Sequence, residues 1–351
     1  MKKVLMVSGM LNTTLAFEAL KKSLIEAGDT VELYASTMPP VSETVQKIKD
    51  DVEWADIVLV GMASSPELAA GELVAVTQAN TLGKPFGLFA DKSGVIAGRD
   101  WFTPVRDRAS FVFIQFEDDV ELAQKTCPHA AVVVTNHPKN EDAAAVNIPP
   151  EQIRARLGIS QAASMVFVPG TKTLDICLEV LGLVKEAFAL SSRPEFTVVF
   201  GQHPGDQNDV SNYDGFGAVV VPKSAGIRAE DLIPAADVFG NILSTTVDRV
   251  MFLRKPALWI RTPSVVAFQR DKEGINLPIL CERGLALAVY NAREFVNAIE
   301  QVKNGQFANL ANQQALQAKM FPQPPPRGTA VRLMAETLEN VLEARLVEAG
   351  K

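Results

Sequence analysis

At 351 residues, 47% apolar and 21% charged, the chain exceeds what one hydrophobic core usually serves, so two domains of ordinary size are expected. A net charge of −7, with lysines and arginines scattered rather than clustered, argues against a nucleic-acid partner, because an acidic surface repels phosphodiesters. Three cysteines (Cys127, Cys177 and Cys281) with no CxxC pair, and only three histidines, argue against a disulfide framework and a zinc site and fit a reducing cytoplasm.

The opening MKKVLMVSG has basic then apolar residues, but the apolar run is four residues long and Asn12-Thr13-Thr14 breaks it. A first β-strand is the better reading than a signal peptide. No apolar stretch of about 18 residues occurs, so no span is expected. After the strand at 4–7 and the turn Ser8-Gly9, apolar residues at 16, 17, 20, 24, 25 and 27 recur with helical spacing. Gly28 stops that helix and a strand begins at Val31. This βαβ start is what a parallel sheet needs. A buried-type strand follows at 57–60, then an alanine-rich helix from about Pro66 to Asn80. Further strands are expected at 84–90, 111–114 and 131–135, with a helix over 118–126.

From Asn136 to Ser160 the texture changes: Asn140-Glu141-Asp142, Pro149-Pro150 and a short basic helix read as a linker. The scheme then restarts with strand 165–169, helix 173–190 and strand 196–201. More strands are expected at 217–221, 238–240 and 257–261. After the proline-rich FPQPPPRG comes a closing helix from about Thr329. The expectation is an α/β chain of two Rossmann-like domains, 1–157 and 158–329, facing a central cleft, with 330–351 closing the first. Ligands of open α/β sheets bind beyond the carboxyl ends of the strands.

The first glycine turn, SGMLNTT, lacks the GxGxxG spacing of a dinucleotide site. Ser8, Asn12 and Thr13 could line a ligand site, or form a plain strand-to-helix turn. Asp91 follows a strand end, where a carboxylate is placed as a general base or as a salt-bridged loop residue. Thr171 and Lys172 open a helix, a position suited to phosphate, although the spacing is not that of a Walker loop. His203, before a proline in GQHPGD, reaches a strand end and is either a ligand contact or a loop histidine. The strongest signal is NILSTTVD: Ser244, Thr245 and Thr246 between a strand and a helix, then Asp248. Three hydroxyls exceed what N-capping needs and suit a diphosphate. Arg261 ends the strand RKPALWIR.

In order and spacing, VFGQHPGD, AEDLIPAADVFGNILSTTVDRV, RKPALWIRTPS and PPPRGTAVRL resemble the donor half of the GT-B glycosyltransferase superfamily. Within that superfamily the chain is most similar to the UDP-N-acetylglucosamine 2-epimerases. The resemblance implies two Rossmann-like domains and a nucleotide-diphosphate sugar, a UDP-sugar foremost, as substrate with no cofactor or metal. Thr171, Lys172, His203, Ser244, Thr245, Thr246, Asp248 and Arg261 would then bind the donor. Ser8, Asn12 and Thr13 would lie on the acceptor side. The chain departs from the epimerases where they carry proton-moving groups: Met62 stands for an acid, Ala90 (with Asp91 next) for a glutamate, and Gly170 or Thr171 for a histidine. Methionine, alanine and glycine move no protons. The implied activity is therefore a glycosyltransferase with Asp91 as base, or alternatively a sugar-nucleotide epimerase with rearranged groups, or a non-catalytic nucleotide binder. The acceptor is not specified, and an oligomer is allowed.

Overall fold

The computed structural model describes residues 1–190, 196–305 and 310–349. The chain divides into two compact units, Met1–Asp142 with Pro325–Lys351, and Ala143–Pro324.

The first unit is a six-stranded sheet of β1 (Lys3–Ser8), β2 (Thr30–Ala35), β3 (Ile57–Val60), β4 (Phe86–Phe89), β5 (Phe111–Ile114) and β6 (Ala131–Val134). The order is β2-β1-β3-β4-β5-β6, and every pairing is parallel. Alternation along β1 sends Leu5 and Val7 to one face and Val4 and Met6 to the other, and both sets are buried. Leu5 and Val7 pack with Ile48 and Val52 of the helix Ser42–Trp54 and Ala75 and Val76 of the helix Ala70–Thr81. Val4 and Met6 pack with Phe17 and Leu20 of the helix Leu11–Glu26 and with Met334 and Leu338 of the closing helix Thr329–Ala349. The closing helix is pinned at its start, where Gly328 N and Ala330 N donate to the Glu141 carboxylate.

The second unit holds β7 (Ser164–Pro169), β8 (Phe196–Gly201), β9 (Val219–Val221), β10 (Val238–Asn241), β11 (Ala257–Ile260) and β12 (Leu287–Val289). These are ordered β12-β11-β10-β7-β8-β9, again all parallel. Counted from β7, this is the doubly wound dinucleotide-fold order. The helix Leu174–Leu190 and the helix Ala292–Lys303 cover one face through Ile176, Val180, Val184, Phe295 and Ile299. The short basic helix Pro150–Arg156 belongs to this unit. There Arg154 donates to the Ala235 and Ala163 carbonyls and pairs with Asp237 at 2.6 Å.

The expected strands are present within a residue or two, and β12, a three-residue edge strand, is added. The helix expected from Pro66 begins instead at Ala70. Residues 61–69 precede it as an irregular segment, in which Ala63 N donates to the Glu72 carboxyl. The two sheets change winding direction at different seams. In the first unit the strand order reverses between β1 and β3, and in the second between β7 and β10. Such switch points open the crevice in which α/β sheets take ligands. Among the described residues, no helix is long and apolar enough to cross a membrane.

Candidate functional site

In the second unit, candidate donor residues converge on four neighbouring strand ends. β11 delivers Arg261, β10 delivers Ser244, Thr245, Thr246 and Asp248, β7 delivers Thr171 and Lys172, and β8 delivers His203. The β7/β10 seam is the switch point of this sheet.

At the end of β10, fully buried Asn241 accepts from Ser244 N (3.0 Å), while its Nδ2 is buried without an acceptor. Ser244 Oγ lies 2.7 Å from Thr246 Oγ1 and accepts from Thr246 N at 3.2 Å, so these hydroxyls form one small network at the seam. All three hydroxyl residues are partly exposed. The helix they precede, Val247–Phe252, is short, and Asp248 is buried within its first turn. Next door, Arg261 is only 3% exposed. Its Nη2 donates to the Asn276 carbonyl at 2.6 Å, and its guanidinium lies 5.7 Å from the centre of the half-exposed Tyr290 ring. Its Nε and Nη1 are buried without acceptors, as is Thr262 Oγ1. A buried guanidinium with unpaired donors is costly unless an anion meets it.

Thr171 is turned inward: its N donates to Cys177 Sγ (3.3 Å) and its Oγ1 accepts from Thr173 N (3.1 Å). It shapes the turn, and exposed Lys172 is the group this turn presents. A Cβ on Gly205 would stand 2.7 Å from Lys172 Cε and 3.3 Å from His203 Nδ1, so a glycine there lets Lys172 and His203 approach. His203 Nδ1 accepts from Gly205 N at 2.9 Å, which assigns the ring proton to Nε2. Burial, then the Lys172 charge, hold this imidazole below its ordinary value, so at neutral pH it is a neutral donor. Asp206 anchors the loop by accepting from Tyr213 Oη, Asn208 N and Nδ2, and Gln202 Nε2. Burial works to raise the Asp206 pKa, but these donors outweigh it and the net direction is down.

In the first unit the candidate residues separate. Ser8 and Thr13 are buried, and Ser8 Oγ is committed to its own turn, donating to the Met10 carbonyl (2.9 Å) and accepting from Thr14 Oγ1 (3.1 Å). Asn12 is partly exposed, and its carbonyl meets His137 Nε2 at 3.1 Å. Burial, followed by Lys139, pushes the His137 pKa down to about 3. Asp91, two strands away, is 2% exposed, and neither carboxylate oxygen has a hydrogen-bond donor. It is therefore no salt-bridged loop residue. Beside it at the end of β5, Gln115 donates to the Ala90 carbonyl (2.9 Å) and leaves its Oε1 unpaired.

One acid escaped the sequence reading. Glu72 sits on the buried face of the helix Ala70–Thr81 with Ala75, Val76 and Ala79, and is 0% exposed. Its Oε1 accepts from Gly9 N (2.8 Å) and its Oε2 from Ala63 N (2.9 Å). Burial raises its pKa to about 8 against those two bonds, and Asp91 adds to the rise. The available signal was a charged residue in register with an apolar helical stripe, a position where a glutamate needs buried donors.

No family model matches the sequence, and no curated protein matches it. Solved structures do resemble it. A UDP-GlcNAc 2-epimerase from Neisseria meningitidis, bound to UDP-GlcNAc, is 15% identical with a TM-score of 0.63, over 96% of this chain and 100% of that one. MnaA from S. aureus, in a co-structure with UDP, is 13% identical with a TM-score of 0.66, over 98% and 97%. A glycosyltransferase from Rickettsia africae is 12% identical with a TM-score of 0.58, over 97% and 98%. With its two six-stranded parallel sheets and flanking helices, the chain has the two-domain GT-B fold that sugar-nucleotide epimerases and glycosyltransferases share.

Proposed function

We propose that the protein is a glycosyltransferase that takes its sugar from a nucleoside diphosphate, UDP foremost, bound at the strand ends of the second unit. The observation that carries this reading is the polarity of that site. At the β7/β10 seam and the adjacent end of β11, buried donors stand without acceptors on Asn241 and Arg261, beside Lys172, His203 Nε2–H and the Ser244–Thr246 hydroxyls. Fixed donors of this kind stabilise the negative charge that grows on a leaving diphosphate as the glycosidic bond breaks. Structural neighbours that hold UDP or UDP-GlcNAc supply the nucleotide class.

Asp91 is the base in this reading. It takes the proton of the acceptor hydroxyl, the acceptor oxygen bonds to the anomeric carbon, and the electron pair of the broken C–O bond leaves with the diphosphate. Epimerisation by elimination and readdition needs groups that both remove and return protons. Both Glu72 oxygens are held by backbone amides, which leaves Asp91 as the uncommitted carboxylate at these strand ends. That count favours transfer.

The test is UDP release from UDP-sugars, with and without acceptor extracts, beside solvent-proton exchange at the sugar C2. The expected result is acceptor-dependent release without exchange. Asp91→Asn is expected to lower turnover about 10²- to 10⁴-fold with the UDP dissociation constant unchanged. Exchange at C2, or full activity in the variant, would overturn the assignment.

A further inference from the structure

The switch point of the first unit is already filled. In an open α/β sheet, the amides of the turns at this seam are the ones that meet a ligand's phosphate. Here the seam lies between β1 and β3, the turns are Ser8-Gly9 and Gly61-Met62-Ala63, and the group on their amides is the Glu72 carboxyl. The space is shaped for it, because a Cβ on Gly61 would stand 2.5 Å from Glu72 Oε1. The charged groups that face Glu72 are Asp91 and Arg99. Asp91 is the independent sign of a ligand: a carboxylate 2% exposed, with no donor on either oxygen, one strand along from the filled seam.

We propose that the Glu72 carboxyl closes the phosphate cradle of the first unit from within the chain, so that this site, with Asp91 as its open group, takes a neutral or cationic ligand rich in hydrogen-bond donors and rejects phosphates and carboxylates. An incoming anion would find both amides of the cradle already bonded. That the donor-rich ligand is the sugar acceptor rests on the transferase reading. The closure of the cradle does not.

The decisive variant is Glu72→Ala, which strands two buried N–H groups. Its melting temperature is expected to fall by roughly 5–10 °C. Formate or acetate should restore much of that loss where sodium chloride of equal ionic strength does not, and wild type should gain nothing. Failure of small carboxylates and of inorganic phosphate to stabilise the folded variant beyond the chloride control would overturn the proposal. If Glu72→Ala does not fold, amide resonances of the wild-type chain carry the test. Inorganic phosphate should leave Gly9 and Ala63 unmoved, whereas methyl glucoside or glucosamine shifts the Asp91 side-chain carboxyl signal. The first probe reads a neutral ligand and the second a cationic one. Phosphate-induced shifts at Gly9 and Ala63, or an Asp91 signal indifferent to both sugars, would overturn it equally. None of these readouts requires UDP or turnover, so loss of the transferase reading leaves them intact.

Discussion

The two units share an all-parallel six-stranded design, yet their strand ends carry opposite polarity. At β4 and β5 of the first unit the unpaired buried groups are acceptors, on Asp91 and Gln115. At β10 and β11 of the second they are the donors of Asn241 and Arg261, with the hydroxyl of Thr262. The segment after β4 has unpaired donors of its own on Trp101 and Arg106, so the contrast holds at the strand ends rather than across whole units. The switch points differ in the same sense: Glu72 fills one, whereas Lys172 and a hydroxyl network border the other. A duplicated architecture thus leaves ligand class undetermined. The side chains at the seam decide it, because an amide cradle can be taken by a carboxyl of its own chain in place of a ligand anion.

The bluntest way to break the comparison is to remove one unit's support. Truncation after Pro326 deletes Ala330, Met334 and Leu338, each 0% exposed, and uncovers Val4, Met6 and Phe17. Burial of a Met or Leu contributes about 1.5–3 kcal/mol, so the loss exceeds about 3 kcal/mol and the first unit should lose its cooperative melting transition. Calorimetry should show that loss with UDP affinity retained, and an unchanged thermogram would contradict it.

A sharper cut is Arg261→Met, which keeps the length of the side chain and removes its donors. Hydrogen bonds to charged groups contribute about 1.5–3 kcal/mol, so the UDP dissociation constant should rise roughly 10- to 100-fold. The melting temperature should hold or rise, because an unpaired buried charge has gone. Calorimetric titration of the variant beside wild type decides the matter: intact affinity would remove Arg261 from the donor site.

The smallest effect is pH dependence, and it belongs to the first unit. Burial raises the Glu72 pKa to about 8 in the folded state from an ordinary value of 4.5, so the folded state binds the extra proton between those values and stability falls as pH rises through that window. His137 titrates at about 3 against 6.5, so the unfolded state binds the extra proton there and stability falls as pH drops from 6.5 towards 3. The two slopes oppose each other between about 4.5 and 6.5, which gives a plateau, with a decline above it due to Glu72 and below it due to His137. Glu72→Gln should flatten the upper limb in denaturant titrations from pH 6 to 9. An upper limb identical to that of wild type would remove Glu72 as its source.

The sequence by itself determined every strand but β12, their parallel pairing and the restart of the scheme near residue 164, because period-two and period-3.6 patterns and glycine turns are local properties. It also placed Asp91, Lys172, His203, the Ser244–Thr246 run and Arg261 at strand ends, since a polar residue just after an apolar run is legible without any partner. Tertiary structure decided what each of them meets. Thr171, Ser8 and Ser244 look equally available in the sequence, and the hydroxyl of each bonds within its own turn; what differs is exposure, since Thr171 and Ser8 are buried and Ser244 is partly exposed. Glu72 shows in the sequence only as a charge on an apolar helical stripe, and only the fold carries Gly9, 63 positions away in the chain, onto its carboxyl. Hydrogen-bond satisfaction is a long-range property: whether a donor or acceptor is spent or open depends on residues that no local pattern names.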